Sequence, residues 1–168
     1  SPYGRMKGFH GQFGVFVRTL SYMMSMGADG LAQAASDAVL SANYILAGLS
    51  DDLTLSYEGP CMHEVLFDDR FLAETEVTTL DFAKAMIDEG VHPMTMYFPL
   101  VVHGALLMEP TETESLASLD QYIGMVKSLA RRAKQGEVAA FKEAPRLAPR
   151  RRLDETTAAR NPVLRWLP

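Results

Sequence analysis

The stretch at residues 90–115 constrains the fold most, because it ends one helix, adds a short apolar segment and begins another helix. Its sequence is G-V-H-P-M-T-M-Y-F-P-L-V-V-H-G-A-L-L-M-E-P-T-E-T-E-S. Gly90 follows an amphipathic pattern and predicts the end of that helix. Residues 105–108 are apolar and predict a strand. Thr111 and Glu114 match a capping box, although Thr113 could also be the cap. The order is therefore helix, strand, helix.

Two apolar helices are predicted near the N-terminus. Residues 15–26 are apolar around almost the whole helical circumference, which is typical of a helix buried against its own core or against a partner. Gly27 predicts the end of this helix. Residues 28–49 repeat apolar positions at three- and four-residue spacing and include many alanines, which allow close helix packing.

The remaining pattern predicts few strands, separated by helices. Strands are predicted at 53–57, at 62–67 and at 105–108. Thr78 and Asp81 form a capping pair for a helix over 79–89, and a long amphipathic helix follows residue 115 and ends at Gly136. This order predicts an α+β fold, a two-layer α/β arrangement with a small antiparallel sheet covered by helices.

The chain divides into three parts by composition. Residues 1–14 are rich in glycine and aromatic residues and read as an irregular lead-in. Residues 15–136 form the predicted domain. Residues 137–168 hold seven Lys and Arg against four Asp and Glu, whereas the whole chain has a net charge of -5. Prolines and arginines there predict an extended basic tail.

Composition excludes several classes of protein. The net charge of -5 gives no reason to expect a nucleic-acid partner. Cys61 is the single cysteine, which excludes an internal disulfide and fits a reducing compartment. No apolar run reaches the roughly 20 residues of a membrane span, and we find no secretory signal peptide. The chain begins without Met, and we expect excision from a longer protein.

The histidines offer no complete catalytic or metal site. None is paired at a metal-ligand spacing, so the sequence predicts no metal. His63 and Glu64 open a predicted strand, and alternation would put their side chains on opposite faces. A hydrogen-bonded histidine at a strand end is the favoured interpretation of His63. His92 is held extended by Pro93, and a structural role for it is as plausible as a functional one.

Three glutamates crowd the stretch before the last long helix. Paired carboxylates can form an acid and base system if their environments separate their pKa values. Acidic residues also stabilise a helix N-terminus, by about 0.3–1 kcal/mol each. We favour the capping role for Glu112 and Glu114. Glu109 precedes the cap and is the better functional candidate.

Several segments together resemble one known family. They are G-R-M-K-G-F-H-G-Q-F-G-V-F-V-R-T-L-S-Y at 4–22, S-M-G-A-D-G-L at 25–31, A-V-L-S-A-N-Y-I-L at 38–46, P-C-M-H-E at 60–64, T-T-L-D-F-A-K at 78–84 and H-P-M-T-M-Y-F-P-L-V-V-H-G-A-L-L-M-E-P-T-E-T-E-S at 92–115. In order, they resemble the C-terminal part of the glycine cleavage system P-protein, the decarboxylating glycine dehydrogenase. The resemblance is to the second subunit of the two-chain bacterial type.

The resemblance implies a fold-type-I enzyme that uses pyridoxal phosphate (PLP), with this chain as its small C-terminal domain. The reaction implied is decarboxylation of glycine, with aminomethyl transfer to the lipoyl arm of a carrier protein. The family's cofactor lysine follows a histidine, and this chain has no His-Lys pair. The cofactor lysine is therefore expected outside this chain, in an upstream part of the second subunit.

From the resemblance of the 92–115 motif, four residues are candidates for lining or supporting the substrate cleft: His92, Thr95, Glu109 and Thr111. No catalytic residue is assigned to this chain, and its cofactor-binding residues are unknown. The expected partners are subunit 1, the upstream part of subunit 2, the lipoyl carrier protein and glycine. The expected location is the bacterial cytoplasm, without nucleic-acid or membrane partners.

The alternative function is a non-catalytic interaction module that reuses this fold. The apolar helix at 15–26 and the basic tail would then form a docking surface. The two hypotheses differ in what lies upstream, since only the enzyme needs a segment with a His-Lys pair and a glycine-rich stretch.

Overall fold

A computed structural model describes residues 3–4 and 10–166. The helices are α1 (Phe13–Leu49), α2 (Thr79–Asp88), α3 (Leu116–Lys134), α4 (Val138–Glu143) and α5 (Glu155–Arg160). The strands are β1 (Thr54–Leu55), β2 (Val65–Asp68), β3 (Thr95–Met96) and β4 (Leu106–Met108), and a 3₁₀ helix spans Asp69–Leu72. Half of the predicted lead-in at 1–14, residues 1–2 and 5–9, lies outside the described residues.

The strands of the described residues form one antiparallel sheet in the order β1-β2-β4-β3. Val65 pairs with Met108 between β2 and β4, and Thr95 pairs with Leu107 between β3 and β4. The predicted α+β class is confirmed. The sequence did not predict β3, because two residues are too few to show an alternating pattern.

The helix α1 is interrupted at Gly27, as the sequence predicted. Gly27 has φ 65° and ψ -178°, a conformation that lies outside the helical region and that glycine adopts without a Cβ clash. The α-helical hydrogen-bonding pattern continues on both sides of this kink. The break therefore separates an N-terminal half of α1 at 13–26 from a C-terminal half at 28–49.

The core lies between the C-terminal half of α1, the sheet, α2 and α3. The largest fully buried side chains include Leu49, Phe67, Phe82, Met86 and Phe141. The ring of Phe82 stacks on that of Phe141, with centroids 6.2 Å apart. Residues from the helices and from two strands thus share one apolar cluster.

The N-terminal half of α1 is exposed, although nine of its fourteen residues are apolar. Phe13, Leu20 and Met24 are 78%, 58% and 77% exposed, respectively. An exposed apolar surface of this kind is typical of interaction sites. No helix in the described part of the chain has the length and hydropathy needed to cross a membrane.

Helix capping confirms one prediction and corrects another. Thr78 and Asp81 form the predicted capping box of α2. The N-cap of α3 is Ser115, whose side chain accepts a hydrogen bond from the Ser118 amide. The predicted cap at Thr111 or Thr113 is wrong, because those residues belong to the turn that precedes the helix.

The tail contains more regular structure than the sequence predicted. We expected extended chain beyond residue 136, but α4 and α5 form there. Phe141 of α4 is fully buried against the core. Arg152 donates to the backbone oxygens of Phe141 and Ala144 and pairs with Asp81 of α2. These contacts hold the first half of the tail on the domain. The division of the chain at residue 136 stays a prediction.

Candidate active-site cleft

A cavity of about 560 Å³ opens at the β3 edge of the sheet. Its walls come from the C-terminal half of α1, the loop before β3, the end of β4 and the first turns of α3. The volume lies in the usual range of small-molecule sites, about 300–1,000 Å³. The lining residues are Ile45, Gly90, Val91, His92, Pro93, Met94, Thr95, Leu107, Met108, Glu109, Pro110, Glu114, Ser118, Leu119, Gln121 and Tyr122.

Three of the four candidate residues line this cavity. His92, Thr95 and Glu109 are all part of its wall, and all three are exposed. Thr111 lies just outside it, next to the lining residue Pro110. Their role in a substrate cleft stays a prediction.

Local chain geometry brings these residues together. Gly90, with φ 79°, turns the chain after α2, and the Val91 amide then donates to the Met86 oxygen at 3.2 Å. The chain continues through His92 into β3. Since β3 pairs with β4, Thr95 lies one strand away from the end of β4, where Glu109 follows directly.

Thr111 has a strained backbone. Its φ is 60°, which is uncommon for a β-branched residue. Its hydroxyl lies 2.8 Å from the Thr113 hydroxyl and accepts from the Thr113 amide at 3.3 Å. Strain of about 1–3 kcal/mol at a non-glycine residue is often found beside functional sites. The strained turn fixes the path of the chain between the cavity and α3.

The favoured capping role of Glu112 and Glu114 is wrong. The helix α3 begins at Leu116, so neither glutamate lies in its first turn. Glu112 accepts a hydrogen bond from the Tyr22 hydroxyl at 3.1 Å. Glu114 lines the cavity together with Glu109. The structure thus brings two of the three glutamates to the same wall.

Sequence reasoning missed the contribution of α3 to the cavity. Ser118, Gln121 and Tyr122 line it, although the pattern had marked only the apolar residues of this helix. They are spaced three and four residues apart and therefore lie on one helical face. This spacing could have identified them as a group from the sequence. Burial raises the pKa of the Tyr122 phenol, which is therefore neutral at physiological pH.

His63, Glu64 and Glu109 converge beside the cavity. One ligand-type atom from each residue lies within 4.8 Å of the others. The prediction that His63 and Glu64 point apart is wrong, because β2 begins only at Val65 and strict alternation does not apply before it. Exposed groups of this kind are common without a bound ion, and the absence of a metal stays a prediction.

The described residues do not fit PLP by themselves. No Lys or Arg is among the cavity residues. The cavity therefore offers no lysine amine to bind PLP covalently and no Lys or Arg to pair with its phosphate. Lys142 pairs with Asp81, and Lys127 pairs with Asp52, both away from the cavity. The expectation that the cofactor lysine lies outside this chain stays a prediction.

Comparison with known proteins gives the family. The family model described as glycine dehydrogenase, C-terminal domain, matches residues 34–149. The chain belongs to this family. It is 65% identical, over its whole length, to a Caulobacter vibrioides protein named probable glycine dehydrogenase (decarboxylating) subunit 2. Proteins of the same name from Kosmotoga olearia and Staphylococcus haemolyticus are each 46% identical, over 98% and 97% of the chain.

The chain is shorter than these relatives. It spans 32% of the Caulobacter protein, 34% of the Kosmotoga protein and 33% of the Staphylococcus protein. The matched family model is a C-terminal domain, so the chain corresponds to the C-terminal third of its relatives.

Proposed function

We propose that this chain is the C-terminal domain of a PLP-dependent glycine decarboxylase and supplies one wall of its substrate cleft. The reaction would be decarboxylation of glycine with aminomethyl transfer to a lipoyl carrier protein. The observation that carries the proposal is the family match together with a cavity lined in part by residues of the 92–115 motif.

The proposal divides the work between two parts of the enzyme. PLP, held by a lysine outside this chain, would supply the electron sink for decarboxylation. This chain would shape the cleft through His92, Thr95 and Glu109, with Thr111 fixing the turn beside them. The 168-residue chain alone is therefore expected to be inactive.

Other proteins are expected to cover part of the surface. The exposed N-terminal half of α1 fits a contact with the upstream part of the second subunit. Leu100 and Val101, 89% and 84% exposed, extend an apolar loop that fits a contact with subunit 1. The relatives' name, subunit 2, supports a partner subunit. The enzyme would act in the bacterial cytoplasm.

A titration with PLP, followed by glycine, tests whether the PLP-binding lysine lies outside this chain. The purified chain should give no aldimine absorption and should exchange no labelled bicarbonate into glycine, even with carrier protein added. Addition of subunit 1 and of a second subunit with its upstream part should restore exchange. A lysine of this chain trapped by borohydride as a PLP adduct would contradict the proposal.

Single substitutions in the complete enzyme test the candidate residues. We expect Glu109→Gln and His92→Gln to lower kcat/KM for glycine while leaving the chain folded. Glu58→Gln is the matched control, because Glu58 is exposed and lies outside the cavity. Unchanged kinetics in both candidate variants would remove these residues from the cleft.

The exposed apolar half of α1 also favours a second candidate function, a non-catalytic interaction module. The two differ in their coding sequence. An upstream segment with a His-Lys pair and a glycine-rich stretch supports the enzyme, and a start codon directly before Ser1 supports the module.

A further inference from the structure

One side-chain hydrogen bond ties the exposed N-terminal half of α1 to the rest of the described domain. The Tyr22 hydroxyl donates to the Glu112 carboxylate at 3.1 Å, between residues that are 90 positions apart in the sequence. The Ser21 and Ser25 hydroxyls donate to backbone oxygens of the same helix. Among the described side chains of 13–26, Tyr22 is therefore the one whose hydrogen bond reaches another element.

The helix itself leaves the direction of this half adjustable. Gly27 interrupts α1 with φ 65° and ψ -178°, and no heavy atom lies within 4 Å of the place where a Cβ would be. Backbone rotation at a glycine in open space meets little steric resistance. The orientation of 13–26 relative to the domain therefore depends on contacts such as that between Tyr22 and Glu112.

Glu112 lies in a stiff turn, residues 109–115, that begins at the cavity wall. Glu109, the first residue of this turn, lines the cavity. The ring of Pro110 restricts the backbone that follows, and Thr111 is held at φ 60°. Because these residues leave the turn little freedom, a displacement of Glu112 also displaces Glu109.

The link between the helix and the turn persists at physiological pH. The hydrogen bond to Glu112, and to a smaller extent the charge of Glu112, raise the pKa of the Tyr22 phenol above its ordinary value of 10.0. The phenol therefore keeps the proton that it donates. Hydrogen bonds to a charged acceptor are stronger than those between neutral groups, which suits this pair to hold a geometry.

We assign the upstream part of the second subunit as the protein that covers the apolar side chains of 13–26. The chain spans 32% of the Caulobacter relative and matches a C-terminal domain, so most of that relative precedes the matched region. An upstream part would join this chain shortly before Phe13, beside the exposed helix. Docking on the upstream part would then fix the orientation of 13–26, which Gly27 leaves adjustable.

We propose that Tyr22 and Glu112 are positioning residues of the decarboxylase. Their hydrogen bond transmits the orientation of the docked helix to the 109–115 turn, and in this way it places Glu109 in the wall of the cleft. Neither Tyr22 nor Glu112 lines the cavity, so both act on glycine through Glu109. The inference rests on the proposed function and adds to it the coupling between the upstream part and the cleft.

Glycine–bicarbonate exchange by the complete enzyme, subunit 1 with a second subunit that includes its upstream part, tests the role of Tyr22. Tyr22→Phe removes the hydroxyl and keeps the ring. We expect kcat/KM for glycine to fall by about three- to thirtyfold, the range for residues that couple distant sites.

Tyr44→Phe is the matched control. The Tyr44 hydroxyl makes the same kind of bond, to Asp120 at 2.6 Å, from the C-terminal half of α1, and neither residue lines the cavity. Tyr44→Phe should leave kcat/KM for glycine unchanged. Wild-type kinetics in Tyr22→Phe, or an equal loss in Tyr44→Phe, would overturn the proposal.

Two variants of Glu112 test whether the hydrogen bond itself is responsible. Glu112→Ala removes the acceptor and should lower kcat/KM as much as Tyr22→Phe does. Glu112→Gln keeps a carbonyl oxygen that can accept from the phenol, and it should retain most of the wild-type kcat/KM. The double variant Tyr22→Phe with Glu112→Ala should lose no more than either single variant. Losses that add in the double variant would show that the two side chains act separately and would overturn the proposal.

A variant of Glu109 separates this inference from the proposed function. In a Glu109→Gln enzyme, Tyr22→Phe should cause little further loss, because it acts through Glu109. If Glu109→Gln lowers kcat/KM but the full effect of Tyr22→Phe adds to it, the positioning role fails and the proposed function stands. If Glu109→Gln leaves the kinetics unchanged, the role of Glu109 in the cleft fails and the positioning role fails with it.

Discussion

A single carboxylate, Asp81, joins helix α2 to the tail. Its side chain is 3% exposed and accepts from the Lys142 ammonium at 2.6 Å and from Arg152 at 2.8 Å. It also accepts from the Thr78 amide and hydroxyl in the capping box. Burial alone would raise the pKa of Asp81, but the hydrogen bonds from Lys142, Thr78 and Arg152 outweigh it and lower the pKa to about 2.

The first prediction concerns Asp81→Asn. The Lys142 and Arg152 side chains that would lose their partner are 45% and 32% exposed, so the loss is that of charge-assisted hydrogen bonds, and the free energy of unfolding should fall by about 1.5–3 kcal/mol at neutral pH. The depressed pKa contributes stability above the ordinary value of 3.8, and this contribution is lost as the pH falls toward about 2. The difference in the free energy of unfolding between Asp81→Asn and the wild type should therefore become smaller over this pH range. Urea unfolding at several pH values measures it.

Asp51→Asn is the matched control for this prediction, because Asp51 is exposed. Its effect should stay within about 0.5 kcal/mol at all pH values. If the difference in the free energy of unfolding between Asp81→Asn and the wild type stays constant as the pH falls, the charge of Asp81 does not explain the loss of stability.

Two glycines provide a second test at the residue scale. Gly104 has φ 58°, and a Cβ added there would overlap the Asp69 side chain. Gly104→Ala should therefore lower the free energy of unfolding by more than about 1 kcal/mol. Gly124 lies inside α3 with open space around it, so Gly124→Ala should raise stability by about 0.5–1 kcal/mol. Chemical denaturation measures the free energy of unfolding of both variants. Equal changes in Gly104→Ala and Gly124→Ala would contradict the steric argument.

At the scale of elements, α4 is part of the core. Phe141 is 1% exposed and stacks on Phe82, and the Arg132 guanidinium lies 5.9 Å from its ring centroid. The sequence predicted an extended tail because ten of the 32 residues after residue 136 are proline or arginine. A six-residue helix gives too short a pattern for its periodicity to stand out.

Truncation of Phe141 tests this packing. Phe141→Ala should lower the free energy of unfolding by about 3–5 kcal/mol, because a fully buried aromatic side chain is lost and a cavity remains. Leu147→Ala, at an 81% exposed position of the same tail, should change stability by less than about 0.5 kcal/mol. Thermal unfolding measures the stability of the two variants. Similar losses of stability in Phe141→Ala and Leu147→Ala would show that the tail is not part of the core.

At the scale of the whole molecule, the N-terminal half of α1 stands apart from the core of the described residues. Its apolar side chains are exposed, although the Tyr22 hydroxyl contacts Glu112. Helices in water gain most of their stability from packing an apolar face. This half of α1 should therefore open more readily than the C-terminal half, which is buried at Ile45 and Leu49.

Hydrogen exchange tests this difference. In the 168-residue chain, amides at 13–26 should exchange faster than those at 31–49, because local opening there breaks few contacts. In the longer second subunit, exchange at 13–26 should slow markedly. Residues 116–134 should be unaffected. Equal exchange at 13–26 in the two proteins would mean that the upstream part does not cover this helix.

The sequence by itself determined the helices before residue 136, the α+β class and the family. Long amphipathic patterns, the Thr78 and Asp81 capping box and the stops at Gly27 and Gly90 depend on residues near one another in the chain, so local physics shows them. The motif at 92–115 also pointed to the segment that forms part of the cavity.

Only the tertiary structure decided which residues meet across the chain. The convergence of Glu64 with Glu109, the Lys142 and Arg152 contacts to Asp81, and the lining of the cavity by Tyr122 all join residues distant in sequence. Local preference could not choose the N-cap of α3, because Thr111, Thr113 and Ser115 all have a side-chain oxygen that can accept a hydrogen bond from a helical amide. In the fold Ser115 takes this position and accepts from the Ser118 amide, while Glu114 lies on the cavity wall.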